Sequence, residues 1–253
     1  MRPFLLLLLV AAGLVVAHAP SSLLDTVLAQ ASDGHLRLAS PRGSLWRGSA
    51  ELASAGEARM LEPWAKAAWR LDLPALLHGQ ASWTLEVDDR PAGRLSVGIH
   101  RWKVEQAAIS LPLPPLLQAL PHPAFHFGWR GRADVHGPGI ECDWQARCSG
   151  RLVLAWRDAG TDILPMQTLG GFDFEFDAGP HPNQGQAATA LSLTVSSQAN
   201  NRLVINGRIG LAPDDPPRVD LSLGGEAGLI DRIAPLLEQI ARRDGDRLLI
   251  RQP

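Results

Sequence analysis

Three carboxylates alternate with three aromatic rings in Phe172-Asp173-Phe174-Glu175-Phe176-Asp177. In an extended chain Asp173, Glu175 and Asp177 share one face, the kind of arrangement from which paired carboxylates do acid–base work. They are also what the wet face of a strand carries when its other face buries three phenylalanines, and that reading is the stronger one. His122, His126 and His136 could offer imidazole nitrogens to a metal, but their spacing fits no ligand motif with a mechanism. Ser44, preceded by Gly43, has a nucleophile's hydroxyl without a His/Asp partner that the sequence identifies. The chain has no Gly-x-Ser-x-Gly elbow, no phosphate-cradling loop and no zinc-protease helix. These residues therefore predict a protein that is not an enzyme, with no catalytic residue, no cofactor and no metal.

Cys142 and Cys148 are the only cysteines of the chain. In an oxidising compartment such a close pair most simply closes a small hairpin loop as a disulfide, with two unpaired thiols as the alternative. A metal site would need a second Cys/His pair at suitable spacing, and none is present.

The elements that must carry these residues read mostly as strands. In Gly43-Ser44-Leu45-Trp46-Arg47-Gly48-Ser49-Ala50-Glu51-Leu52, period two puts Trp46, Gly48, Ala50 and Leu52 on one face. The pattern returns at Phe127–Val135, where Trp129, Gly131, Ala133 and Val135 share a face. Trp46 and Trp129 are accordingly expected as buried core anchors, and Trp46→Ala as a loss of about 3–5 kcal/mol. Stacking platforms for sugars or nucleic acid would need these rings to face outward.

Similar alternation marks Trp69, Leu71 and Leu73; Trp83, Leu85 and Val87; Leu95, Val97 and Ile99; and Leu152, Leu154 and Trp156. It continues through Leu191, Leu193 and Val195, then Leu203, Ile205 and Ile209, then Val219, Leu221 and Leu223. Strands with one dry and one wet face belong to antiparallel sheets with a single core face. Leu229, Ile233, Leu236, Leu237 and Ile240 instead fall at helical spacing, with Pro235 expected to kink or divide that helix. Residues 111–123 are proline-dense and predict a linker between possible sub-domains 33–110 and 124–253. The predicted fold is mainly β, an antiparallel one-sided twisted sheet or sheets in a meander. An N-terminal membrane helix precedes it, and a C-terminal amphipathic helix packs on it.

With Lys+Arg 24 against Asp+Glu 26, no global field attracts nucleic acid. The chain of 253 residues holds enough material for one β-rich domain or two small ones. Phe4 to Ala17 is an unbroken apolar run, short of the roughly 20 residues of a full span unless it extends into the next segment. Pro20 directly follows the small-x-small site Ala17-His18-Ala19, which favours an uncleaved anchor over a cleaved signal peptide. Arg2 precedes the run and the next basic residue is Arg37, so the rest of the chain is expected on the exported side. This divides the chain into an anchor with a short helix over 1–32 and a β-rich domain over 33–253.

The string Gly43-Ser44-Leu45-Trp46-Arg47-Gly48-Ser49-Ala50 resembles the signature strand of the type II secretion system protein N family, also called general secretion pathway protein N. Trp69-Arg70-Leu71-Asp72-Leu73, Gly150-Arg151-Leu152-Val153-Leu154-Ala155-Trp156 and the terminal helix followed by Asp244-Gly245-Asp246 add to the likeness. The resemblance implies a non-enzymatic subunit of a Gram-negative inner membrane, with one span and a periplasmic domain. Such a subunit would assist export of folded proteins across the outer membrane, with other secretion-system subunits as partners and no enzymatic residues. A competing reading is an AsmA-like lipid-transfer module, in which the apolar sheet face stays open as a groove. A secreted carbohydrate-binding sandwich is a third, and it would need tryptophans standing outward.

Overall fold

A computed structural model describes residues 18–55, 60–118, 127–145, 147–162, 168–180, 189–212, 215–237 and 240–252. The apolar run 4–17, His122 and His126 lie outside the described residues. The strands are β1 (Leu36–Gly43), β2 (Arg47–Ala55), β3 (Leu61–Leu71), β4 (Gln80–Val87), β5 (Arg90–Gly98), β6 (Arg101–Pro112) and β7 (Trp129–Asp143). They continue as β8 (Cys148–Thr161), β9 (Thr168–Pro180), β10 (Thr189–Ser197), β11 (Leu203–Ala212), β12 (Asp215–Gly225), β13 (Arg242–Asp244) and β14 (Arg247–Gln252). All belong to one 14-stranded sheet in which β1 to β12 follow chain order and β14 lies between β12 and β13. Every pairing is antiparallel, so the fold is one long meander. The proline-dense segment does not divide it: β6 and β7 pair from Arg101↔Asp143 to Pro112↔Arg132, joining both halves in one sheet.

Residues directly opposite each other share a face, so the registers trace one dry surface from strand to strand. Trp83 stands beside Leu95, Leu95 beside Val104, and Val104 beside Ile140. Further along, Ile109, Val135, Leu154, Phe174 and Val195 form a row across five strands. Val195 stands beside Gly207, Gly207 beside Leu221 and Leu221 beside Ile250, which carries the row on to β14.

Two clusters close parts of this face. One gathers Leu38, Ala50 and Trp69, with Leu24 and Leu28 of helix α1 (Ser22–Ala31) packed against it. The other gathers Phe172, Leu203, Leu223 and Leu248 under Leu229 and Ile230 of helix α4 (Ala227–Leu237). Neither includes a side chain of β5, β6 or β10, where Leu95, Val97, Trp102, Val104 and Leu193 are half-buried. Among the described residues only Phe172 and Ile230 are large side chains that are wholly buried. Pro235 lies inside α4 without dividing it, and Ile240, expected on its dry stripe, is exposed.

The sheet curls. On a flat sheet β2 and β7 would stand about 24 Å apart at ~4.8 Å per strand. Instead His35 and Ala55 share a cleft of about 320 Å³ with Gly128, Trp129 and Pro114 of helix α3 (Leu113–Gln118). Bulges supply the bend: Ser40 and Asp158 have positive φ where the β1–β2 and β8–β9 registers shift.

A side chain caps part of the first edge. Asp25 of α1 accepts the main-chain N–H of Leu38 at 2.7 Å and hydrogen bonds from Arg37 Nε and Nη2 at 2.9 and 2.6 Å. That hydrogen bond from Arg37 holds the Asp25 carboxyl below the usual range, against an opposing push from burial. At the other edge β13 is three residues long, Arg242, Arg243 and Asp244, all exposed.

Candidate functional site

The signature string folds as a clamped turn rather than as one strand. The β1 strand runs through Pro41 to Gly43, the chain turns at Ser44, Leu45 and Trp46, and β2 begins only at Arg47. Ser44 Oγ accepts the main-chain N–H groups of Trp46 and Arg47, each at 3.3 Å, which is a turn-former's role and not a nucleophile's. Two indoles from neighbouring strands hold the turn from below. Trp69 Nε1 donates to the Ser44 carbonyl at 3.0 Å, and Trp83 Nε1 donates to the Leu45 carbonyl at 3.2 Å. The N–H of Leu71 donates to the Trp46 carbonyl at 2.6 Å.

The tryptophan anchors are therefore partly reassigned. Trp46 sits in the turn and is half-buried, while the buried ring of this cluster is Trp69. Trp129 is also half-buried, an edge member of the second cluster in T-shaped contact with Trp156 at 5.3 Å between ring centroids. Residues expected together with Trp69 also part company. Leu73 leaves the strand because Pro74 cannot donate to a ladder, and it opens helix α2 (Leu73–Leu76) with 67% of its surface exposed.

On the wet face of β9 the three carboxylates are already engaged. Arg151 pairs with Glu175 at 3.0 Å and Asp177 at 2.8 Å, and Asp173 accepts from Gln198 Nε2 at 2.9 Å. No open carboxylate pair faces a cleft there. His136 is exposed on β7, and no group of three potential metal ligands occurs among the described residues.

Cys142 and Cys148 are cross-strand partners at the end of the β7–β8 hairpin, joined through sulfur with Cα atoms 4.0 Å apart. The Asp143 carboxylate closes the turn beneath them, accepting the N–H groups of Gln145 and Arg147, each at 2.9 Å. The Arg147 N–H is the main cause that lowers the Asp143 carboxyl below its ordinary range.

Between the two clusters the dry face carries the half-buried Leu95, Val97, Trp102, Val104 and Leu193, which belong to neither cluster. A family model for type II secretion system protein N matches residues 34–249, from the start of the sheet to its last paired strand. The chain belongs to the type II secretion system protein N family. No curated protein and no solved structure matches the chain. Membership makes the protein N sheet a component of a secretion apparatus, a family not known for enzymes. Among the described residues no helix is long and apolar enough to cross a membrane.

Proposed function

We propose that this chain is a non-enzymatic, single-pass inner-membrane subunit of the type II secretion system. Residues 4–17 would form the membrane segment, and residues 33–253 would stand in the periplasm. There the subunit would hold other secretion subunits while folded proteins cross the outer membrane. The observation that carries this reading is the family match over almost the whole sheet. The Cys142–Cys148 pair fits an oxidising periplasm. The engaged state of Asp173, Glu175 and Asp177 fits a scaffold rather than a catalyst. Mild crosslinking in membranes followed by purification of the full chain tests it. Recovery of secretion-system subunits is the expected result, and a chain that crosslinks to none of them overturns the reading.

The half-buried side chains of β5, β6 and β10 favour a second reading, a lipid-handling module that uses the open face. Phospholipid recovered with the chain in the absence of secretion subunits would favour it.

A further inference from the structure

In a meander, alternate turns gather at the same end of the sheet. One end carries the β1–β2 turn, helix α2 between β3 and β4, the β5–β6 turn and the β7–β8 turn. It is also where the described chain begins: the N–H of Leu45 donates to the Ala19 carbonyl at 2.9 Å, and Pro20 bridges to Ser44. The apolar run 4–17 therefore joins the domain at this end.

The same end is tipped with exposed apolar side chains. Leu73 is 67% exposed, Leu77 88%, Ile99 78% and Trp144 61%, with Leu23 and Leu76 near half. They are neighbours through the ladder. The pairing of Gln80 with Gly98 sets the end of α2 beside Ile99, and the pairing of Arg101 with Asp143 sets Ile99 beside Trp144. The Trp144 indole N–H donates to the Ile99 carbonyl at 2.9 Å, which ties two turns into one surface while leaving the ring in the open. Beside these tips Arg101 pairs with Glu141 and Arg147 with Asp143, each at 2.6 Å. A row of exposed leucine, isoleucine and tryptophan tips with two ion pairs beside it matches the boundary between headgroups and acyl chains.

We propose that this end of the sheet rests on the phospholipid surface from which residues 4–17 emerge, as a second attachment that fixes the tilt of the domain. The inference rests on the reading of residues 4–17 as the membrane segment. An occupant other than lipid would have to approach within a few residues of that segment's exit, where the bilayer already stands.

The test uses the full chain reconstituted into vesicles of phosphatidylethanolamine and phosphatidylglycerol doped with a photoactivatable phospholipid, with labelled residues mapped by mass spectrometry. Labelling is expected at Leu77, Ile99 and Trp144 as well as in residues 4–17, but not at Met60 or Phe127 on the opposite end. Labelling of residues 4–17 without the turns overturns this inference alone, and labelling of neither overturns the membrane reading with it. Equal labelling of both ends, or labelling of Trp102 and Val104 in place of the turns, also overturns it. In the variant Leu77→Asp/Ile99→Asp, labelling of Trp144 should fall roughly fivefold or more with an unchanged near-ultraviolet circular dichroism spectrum. Unchanged labelling in that variant counts against the proposal.

Discussion

The ring of Trp69 lies against the bare Cα of Gly48, where a methyl group would come within 2.7 Å of Cζ2. The two residues are cross-strand partners in β2 and β3, so the glycine creates the space the indole fills, and the indole in turn holds the Ser44 carbonyl. Trp69→Ala should cost about 3–5 kcal/mol by loss of a buried ring, and Gly48→Ala about 1–3 kcal/mol by overpacking. Trp46→Ala, at a half-buried turn position, should cost clearly less than Trp69→Ala. Urea unfolding of the three variants checks the order, and a larger loss at Trp46 would return the anchor to the turn.

Asp25 supplies a pH signature. Its carboxyl is held below the ordinary value by Arg37, so its contribution to stability is present above the unfolded value near ~3.9 and is lost as pH falls through the lower folded value. Asp25→Asn should therefore lower the melting temperature at pH 7, and the gap from the wild type should close as pH falls through the lowered folded-state value. A gap that persists at low pH would mean that the carboxylate charge is not the agent.

Closing the short loop between Cys142 and Cys148 should stabilise the domain by roughly 2 kcal/mol through the loop entropy it removes from the unfolded chain. The double variant Cys142→Ser/Cys148→Ser should fold, with a lower melting temperature that no longer responds to reductant. Thiol labelling of the wild-type chain purified without reductant should find no free sulfhydryl. Two reactive thiols would remove the cross-link from the account.

The second cluster depends on α4. Ile230→Ala should cost about 2–5 kcal/mol, because this side chain is wholly buried over the sheet. Ile240→Ala, nearly half exposed, should stay within about 0.5 kcal/mol of the wild type. Thermal unfolding distinguishes the two, and equal losses would place Ile240 back on the packed stripe.

The alternation of apolar and polar residues made most of the sheet legible. Phe172, Phe174 and Phe176 share a face as read, and so do Leu191, Leu193 and Val195. The pattern failed where the backbone changes parity. In β6, Trp102 and Val104 are on the dry face, but Gln106 takes a positive φ and the face resumes at odd numbers with Ala107, Ile109 and Leu111. No single period runs through that strand, and it stayed hidden beside the prolines. The tryptophan string failed differently, because strand and turn residues both fit period two until Trp69 and Trp83 are known to grip the carbonyls of Ser44 and Leu45. The role of Asp25 depends on an edge that exists only once α1 is folded against β1. Nothing in local spacing announces it.

The carboxylate of Asp25 occupies the position that a neighbouring strand's carbonyl would take beside Leu38. A meander this long would otherwise be a template, able to recruit a second copy of itself by adding a strand at β1. A carboxylate on one border and a strand of only three exposed, charged residues on the other both disfavour adding a further strand. The first border of the sheet thus depends in part on a helix side chain that makes no contribution to the dry face.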